Sequence, residues 1–199
     1  MDEKEKQNLQ TQLGGATVAG VGAFVWDLAK ILIIALVIIV PFRMLIAEPF
    51  VVSGLSMMPT YKNYDYLIID RLSYRFSQPA RGDVIVFKYP RDTSQYFIKR
   101  VIGLPGETVT CPEGKVDVTD VNGNKIELSE NYLPERTQTL SCKVKQTLQS
   151  NEYFVLGDNR NASSDSRVWG VLPYNDIVGK VWARVYPFSQ AKFVHTPSY

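Results

Sequence analysis

Histidine, the side chain that ionises nearest neutral pH, occurs once in this 199-residue chain, at His195. So near the end, where chains fray, it reads as a surface residue, and neither a Ser-His nor a Cys-His mechanism fits. If a nucleophile is activated here, its base is a lysine, aspartate or glutamate. Three stretches hold residues of the right kinds. Ser53-Gly-Leu-Ser-Met-Met-Pro-Thr60 contains Gly54 and Pro59, which make a constrained turn able to hold the Ser56 hydroxyl out from the backbone; the bland reading is that Ser56 merely caps a turn. Lys99 interrupts an apolar strand, and period-2 alternation puts it on one face with Phe97 and Val101. If that face points inward, burial disfavours the ammonium and lowers its pKa, as a general-base lysine requires. If it points outward, Arg100 is the residue turned in. Alternation does not choose. Gly157-Asp-Asn-Arg-Asn-Ala-Ser-Ser-Asp-Ser-Arg167 follows an apolar strand and is dense in hydrogen-bonding groups, either a site or a solvated loop. Asn161-Ala162-Ser163 also fits the glycosylation acceptor pattern, a match of low specificity.

Composition excludes several other chemistries. Lys and Arg number 22 against 20 Asp and Glu, for a net charge of +2. Without a basic block there is no electrostatic footprint for nucleic acid. One histidine and two cysteines are too few soft ligands for an all-protein zinc site. Gly20 and Gly22 form a GxG, but Val25 stands where the third glycine of a dinucleotide fingerprint belongs and no strand precedes it.

The elements that must position these residues fall into two populations. Ile31 to Phe42 reads ILIIALVIIVPF, apolar throughout. With its flanks it makes a window of about 25 residues, 23–47, long enough to cross a bilayer if Asp27, Lys30 and Arg43 lie near its ends. Asp27 and Lys30 also sit three apart, able to pair on one helical face. A buried helix is the competing reading. A cleaved signal peptide ending at Ala47 would have Leu45 at −3 and exceed the usual length. The expected order is a tail at 1–22, a transmembrane anchor at 23–47 and a β-rich domain at 48–199. Flanking charges do not fix the orientation. In the β-rich part, Tyr66–Asp70, Asp83–Phe87, Tyr96–Ile102, Glu152–Leu156 and Ile177–Val185 are short, β-branched or aromatic runs separated by turn residues. They predict a mainly β, antiparallel, barrel-like domain or orthogonal sheets. Residues 108–150 read as an insertion carrying an Asn122-Gly123 hairpin signal. Cys111 and Cys142 lie near its two ends; a disulfide there would contribute about 3 kcal/mol, and two free thiols are the equal alternative.

Four of these stretches, in order behind an anchor, resemble the bacterial type I signal peptidases: residues 53–60, Arg81-Gly-Asp-Val-Ile-Val-Phe87, Ile98-Lys-Arg-Val-Ile-Gly-Leu-Pro-Gly106 and residues 157–167. These are membrane-anchored serine proteases that remove signal peptides from exported proteins. The resemblance implies Ser56 as nucleophile and Lys99 as its general base, which accounts for the lack of a usable histidine. It implies Ser163 as the hydroxyl that orients the lysine, and Asp165 with Arg167 as a structural pair beside the dyad, with Arg100 and Asp158 as another. The Ser56 N–H would serve an oxyanion hole. Some members add a serine hydroxyl two residues earlier, where this chain has Gly54. Phe50, Val52, Met57 and Ile98 would line shallow pockets for small side chains at −1 and −3 of an extended substrate strand. No cofactor and no metal are expected. The partners implied are signal peptides and the lipid bilayer, with the catalytic domain on the extracytoplasmic side of the bacterial membrane; the oligomeric state stays open. Two alternatives remain: a LexA-type self-cleaving protein, which would need a DNA-binding domain where the anchor lies, and a tethered β-rich binding module with an inert dyad.

Overall fold

In the computed structural model, residues 21–39, 47–112, 115–134, 137 and 145–197 are described. The chain divides into two units, Met1–Leu45 and Ile46–Tyr199. In the first, helix α1 is described over Val21–Ile39, long and apolar enough to cross a membrane. Its apolar side chains, Phe24, Trp26 and Ile31 to Ile34 among them, are exposed, as a helix surrounded by lipid requires. Lys30 pairs with Asp27 at 3.1 Å and lies 5.6 Å from the Trp26 ring centroid. The anchor does not extend to Ala47 as a helix, because Ala47 opens a strand paired in register with Asp70.

The second unit is built on antiparallel pairing. Its strands are β1 (Ala47–Val51), β2 (Tyr66–Asp70), β3 (Val84–Tyr89), β4 (Asp92–Gly103), β5 (Thr108–Thr110), β6 (Asp117–Thr119), β7 (Lys125–Ile126), β8 (Gln146–Thr147), β9 (Glu152–Leu156), β10 (Leu172–Pro173), β11 (Ile177–Tyr186) and β12 (Lys192–Phe193). The larger sheet runs β1-β2-β11-β3-β4-β9-β10, with β12 added to β11; the smaller runs β7-β6-β5-β8. The larger sheet is open, with no pairing between β1 and β10. The only helix in this unit's described residues longer than a 3-10 turn is α2 (Ser166–Trp169), capped by the Asp165 carboxylate.

Strands form where β-branched and aromatic residues alternate. β2 alternates its burial along Tyr-Leu-Ile-Ile-Asp, whereas Val84 to Phe87 of β3 is buried on both faces. A two-faced core explains the difference: Val84 and Val86 join Val52, Met57, Tyr61, Leu67 and Ile69 on one side. Ile85 and Phe87 join Val101, Val155 and Leu172 on the other. A third cluster, Ile102, Val109, Val118, Leu148 and Phe154, fastens the small sheet onto β4 and β9. The β6–β7 hairpin turns through Gly123 at φ +87°, and Asp120 accepts from the Asn122 and Asn124 N–H groups at 2.8 Å. Cys111 is disulfide-bonded, while Cys142 lies outside the described residues.

Two of the larger sheet's open strand edges, among the described residues, bear on the site. β1 pairs only with β2, and Pro49, which has no N–H to give, is tolerated on such an edge. β4 pairs with β3 from Asp92 to Arg100, but β9 joins its other side only from Arg100 onward. Residues before Arg100 therefore present a free edge among the described residues.

Candidate active site

A cleft of about 520 Å³ lies between these edges, lined by Phe50 and Val52 of the β1 side, by Leu67, Val86 and Ile98, and by Ser56 and Lys99. Ser56 is carried on a turn between β1 and β2. Val52 N–H donates to Asp65 O and Tyr64 N–H to Val52 O, both at 2.9 Å, which pinches the segment at its base. At its tip, Gly54 adopts φ +100° and donates its N–H to Asn63 Oδ1 at 2.9 Å. That backbone region suits glycine and strains other residues. Met57 follows Ser56 and points into the core, 1% exposed, against Val52, Tyr61 and Leu67. Successive side chains thus anchor and present: Met57 holds the turn and Ser56 faces the cleft.

Lys99 reaches Ser56 from β4. Its Nζ donates to Ser56 Oγ at 2.8 Å and to the Ile98 carbonyl at 2.8 Å. The side chain is 4% exposed, and burial pulls its pKa from 10.5 to about 8, against the opposing pull of Asp165 and Asp158. Loss of the proton frees a lone pair directed at a hydroxyl already within hydrogen-bond distance. The question that alternation left open has an unexpected answer: Lys99 and Arg100 are both buried, 4% exposed each. Arg100 faces the opposite side of the sheet and meets Asp158 in a two-pronged pair, Nε to Oδ1 at 2.9 Å and Nη2 to Oδ2 at 2.7 Å.

The loop after β9 closes over the turn. Asn159 N–H donates to Ser56 O at 2.9 Å, and Asn159 Nδ2 to Leu55 O at 3.1 Å. Asp165 is fully buried; it pairs with Arg167 through Nε at 2.8 Å and Nη2 at 2.7 Å, and takes the Gly157 N–H at 3.1 Å. Gly157 has room for nothing more. A Cβ there would stand 2.2 Å from Ser163 Oγ and 2.5 Å from Ser56 O.

Two of the expected site residues are placed apart from the rest. Ser163 lies over Gly157 beside the Ser56 carbonyl, but its buried hydroxyl has no hydrogen-bond partner and does not bond Lys99. The lysine uses the Ile98 carbonyl as its second acceptor instead. Met57 does not line the cleft, because its role is in the core beneath the turn. Phe50, Val52 and Ile98 do line it, and so do Val86, Gln95 and Tyr96, which sequence reasoning passed over. The β4 residues among these could have been found from Ile98 by counting back along the strand. Asn63 and Asn159 carried no sequence signal beyond lying in or near turns. His195 is exposed, and no cluster of metal-ligating side chains exists among the described residues. The Ser56 N–H makes no hydrogen bond among the described residues, whereas the Gly54 N–H is committed to Asn63.

A serine hydroxyl and a dehydrated lysine amine in contact, lining a cleft with open strand edges, can carry out acyl transfer on an extended chain. Comparison with known proteins shows the family. Residues 25–186 match the family described as signal peptidase, peptidase S26. The chain is 38% identical over 174 residues to a probable signal peptidase I-1 of Synechocystis, covering 84% of this chain and 85% of that one. It is 37% identical over 172 residues to the signal peptidase I of Bacillus caldolyticus, covering 80% and 91%. A crystal structure of a signal peptidase I from Enterococcus faecalis superposes with a TM-score of 0.42 and 32% identity, covering 53% of this chain and 97% of that one.

Proposed function

We propose a Ser56/Lys99 dyad mechanism for this chain, which belongs to the signal peptidase family, peptidase S26. The protein is a serine endopeptidase that cleaves signal peptides from preproteins. The observation that carries the mechanism is the 2.8 Å contact between Lys99 Nζ and Ser56 Oγ in a site that strips water from the amine.

Neutral Lys99 takes the Ser56 proton as Oγ attacks the scissile carbonyl. The Ser56 N–H stabilises the developing oxyanion. The resulting ammonium then gives its proton to the departing amine, which leaves as the new N-terminus of the mature protein, and an acyl ester remains on Ser56. Water, deprotonated by Lys99, attacks the ester; the acid product departs and Oγ regains its proton. Atoms and protons balance without a cofactor. A serine hydroxyl cannot supply a second oxyanion donor at position 54, since the residue there is glycine.

The substrate lies in the cleft as an extended strand, its backbone offered to the open edges of β1 and β4. Phe50, Val52, Val86 and Ile98 make the lining apolar and shallow, which suits small side chains near the cut bond. Helix α1 tethers the protein in the bilayer as a single span, with the catalytic unit on the extracytoplasmic side, where signal peptides emerge. Ser56→Ala and Lys99→Ala, purified as full-length chains and assayed on a preprotein carrying an Ala-x-Ala site, should each lose activity by more than about 10³-fold. Wild-type turnover by either folded variant overturns the mechanism.

A further inference from the structure

Arg160 is among the largest fully buried side chains of the molecule, 1% exposed. A guanidinium out of water needs partners for its donors. One is in its own loop, where Nε donates to Gly157 O at 3.1 Å. Others come from the segment between β7 and β8. Nη1 donates to Glu130 Oε2 at 3.1 Å, and Nη2 meets Glu130 Oε1 in the second prong of a fork. Tyr132 OH donates to the same carboxylate at 2.8 Å. The Tyr132 ring lies against the guanidinium of Arg100, 3.8 Å from carbon to centroid. Glu130 and Tyr132 therefore contact the two arginines that flank the dyad: Arg100 follows Lys99 in β4, and Arg160 closes the loop that grips Ser56.

The geometry points to Glu130 as a positioning residue that holds the nucleophile turn through Arg160. The chain of contacts is continuous. Glu130 fixes the Arg160 fork, Arg160 fixes the Gly157 carbonyl, and Gly157 packs against the Ser56 carbonyl with no room for a Cβ. Asn159, between them in sequence, takes hold of Ser56 O and Leu55 O. The Gly157 amide is pinned from the other side by Asp165. Asp165 and Arg160 thus hold the two faces of one peptide unit's neighbourhood; Asp165 pairs within the loop with Arg167, and Arg160 takes Glu130 from outside it. Glu130 and Tyr132, from the segment between β7 and β8, thereby brace the catalytic loop. Small displacements of a nucleophile cost catalysis heavily, up to about 10²-fold for 1 Å.

This inference rests on Ser56 as nucleophile, so Ser56→Ala is assayed alongside; activity remaining there sinks the mechanism and not the brace alone. The deciding experiment uses the full-length protein in detergent, with active sites counted by stoichiometric titration with a substrate-like peptide aldehyde. Glu130→Ala should lower kcat per titrated site about tenfold while KM changes less than about twofold. Glu130→Gln, which keeps the shape and one acceptor, should recover most of the loss. A brace that served stability alone would reduce the number of titratable sites and the Tm but leave per-site kcat at the wild-type value; that result overturns the proposal. If Glu130→Ala does not fold, Glu130→Asp decides. It keeps the charge, is one methylene too short for the fork, and should still lose severalfold in per-site kcat, whereas wild-type per-site kcat refutes the brace.

Discussion

A lysine stripped of water sets both the working pH and part of the stability of this protein. With its pKa pulled to about 8 by burial, Lys99 is about one-tenth neutral at pH 7. We expect kcat/KM on a peptide substrate to rise about tenfold for each pH unit below 8 and to level off above it. A flat profile from pH 6 to 9 contradicts Lys99 as the base. The same shift costs stability, and its sign can be worked out. Unfolded Lys99 keeps its proton up to about 10.5, so between 8 and 10.5 the unfolded state binds more protons and stability rises with pH; below 8 the full cost is present. Lys99→Met should therefore abolish activity yet raise stability at pH 7 by on the order of 3 kcal/mol, a gain that shrinks as pH climbs toward 10.5. Denaturant titrations at pH 7 and pH 10 measure it. The sequence carried Ser56 and Lys99 as candidates but not their contact. Alternation framed Lys99 and Arg100 as one in and one out, and it fails because β4 is covered on both faces at that point. Ser163 is expected through resemblance to be a partner of the lysine, and its hydroxyl has no hydrogen-bond partner among the described residues.

At the scale of elements, turns and strand edges rather than strands make the site. β2, β9 and β11 were legible because each is a β-branched run bounded by turn residues. β4 was only half legible. Its first residues, Asp92-Thr-Ser-Gln95, are polar and precede the expected strand at Tyr96, yet hairpin pairing with β3 extends the strand back to Asp92, and Gln95 and Tyr96 line the cleft. The contact of the 157–167 loop with the nucleophile turn was legible only through the family resemblance and not from pattern or spacing, since it joins residues about a hundred positions apart. It has a sharp test. In Gly157→Ala the new Cβ would fall 2.2 Å from Ser163 Oγ and 2.5 Å from a backbone oxygen of Ser56, and the backbone oxygen cannot rotate away. The variant should lose more than about 10²-fold in kcat, with the far-UV circular dichroism of the sheet unchanged. Turnover near wild type would show that the loop can withdraw from Ser56 without consequence.

On the scale of the whole molecule, function is divided between two units that need different solvents. Ile46–Tyr199 holds three core clusters of its own, so it should fold without the helix. A chain starting at residue 46 should cleave a soluble Ala-x-Ala peptide with kcat close to full length. It should process a preprotein held in lipid vesicles more than about tenfold slower, because the shared bilayer supplies effective concentration. Equal losses on both substrates would assign the helix a role in the fold instead. The apolar run announced the helix from the sequence; Ala47, apolar enough for either solvent, pairs with Asp70 in the sheet.

The two unfilled strand edges described above carry one more consequence. An edge asks its partner for amides and carbonyls, which every peptide has, and asks of side chains only that they not obstruct. A protease that reads its substrate in this way can serve a crowd of unrelated clients with a single active site. Its selectivity then lies in what is left out, the bulky residue near the cut bond, more than in any residue that must be present.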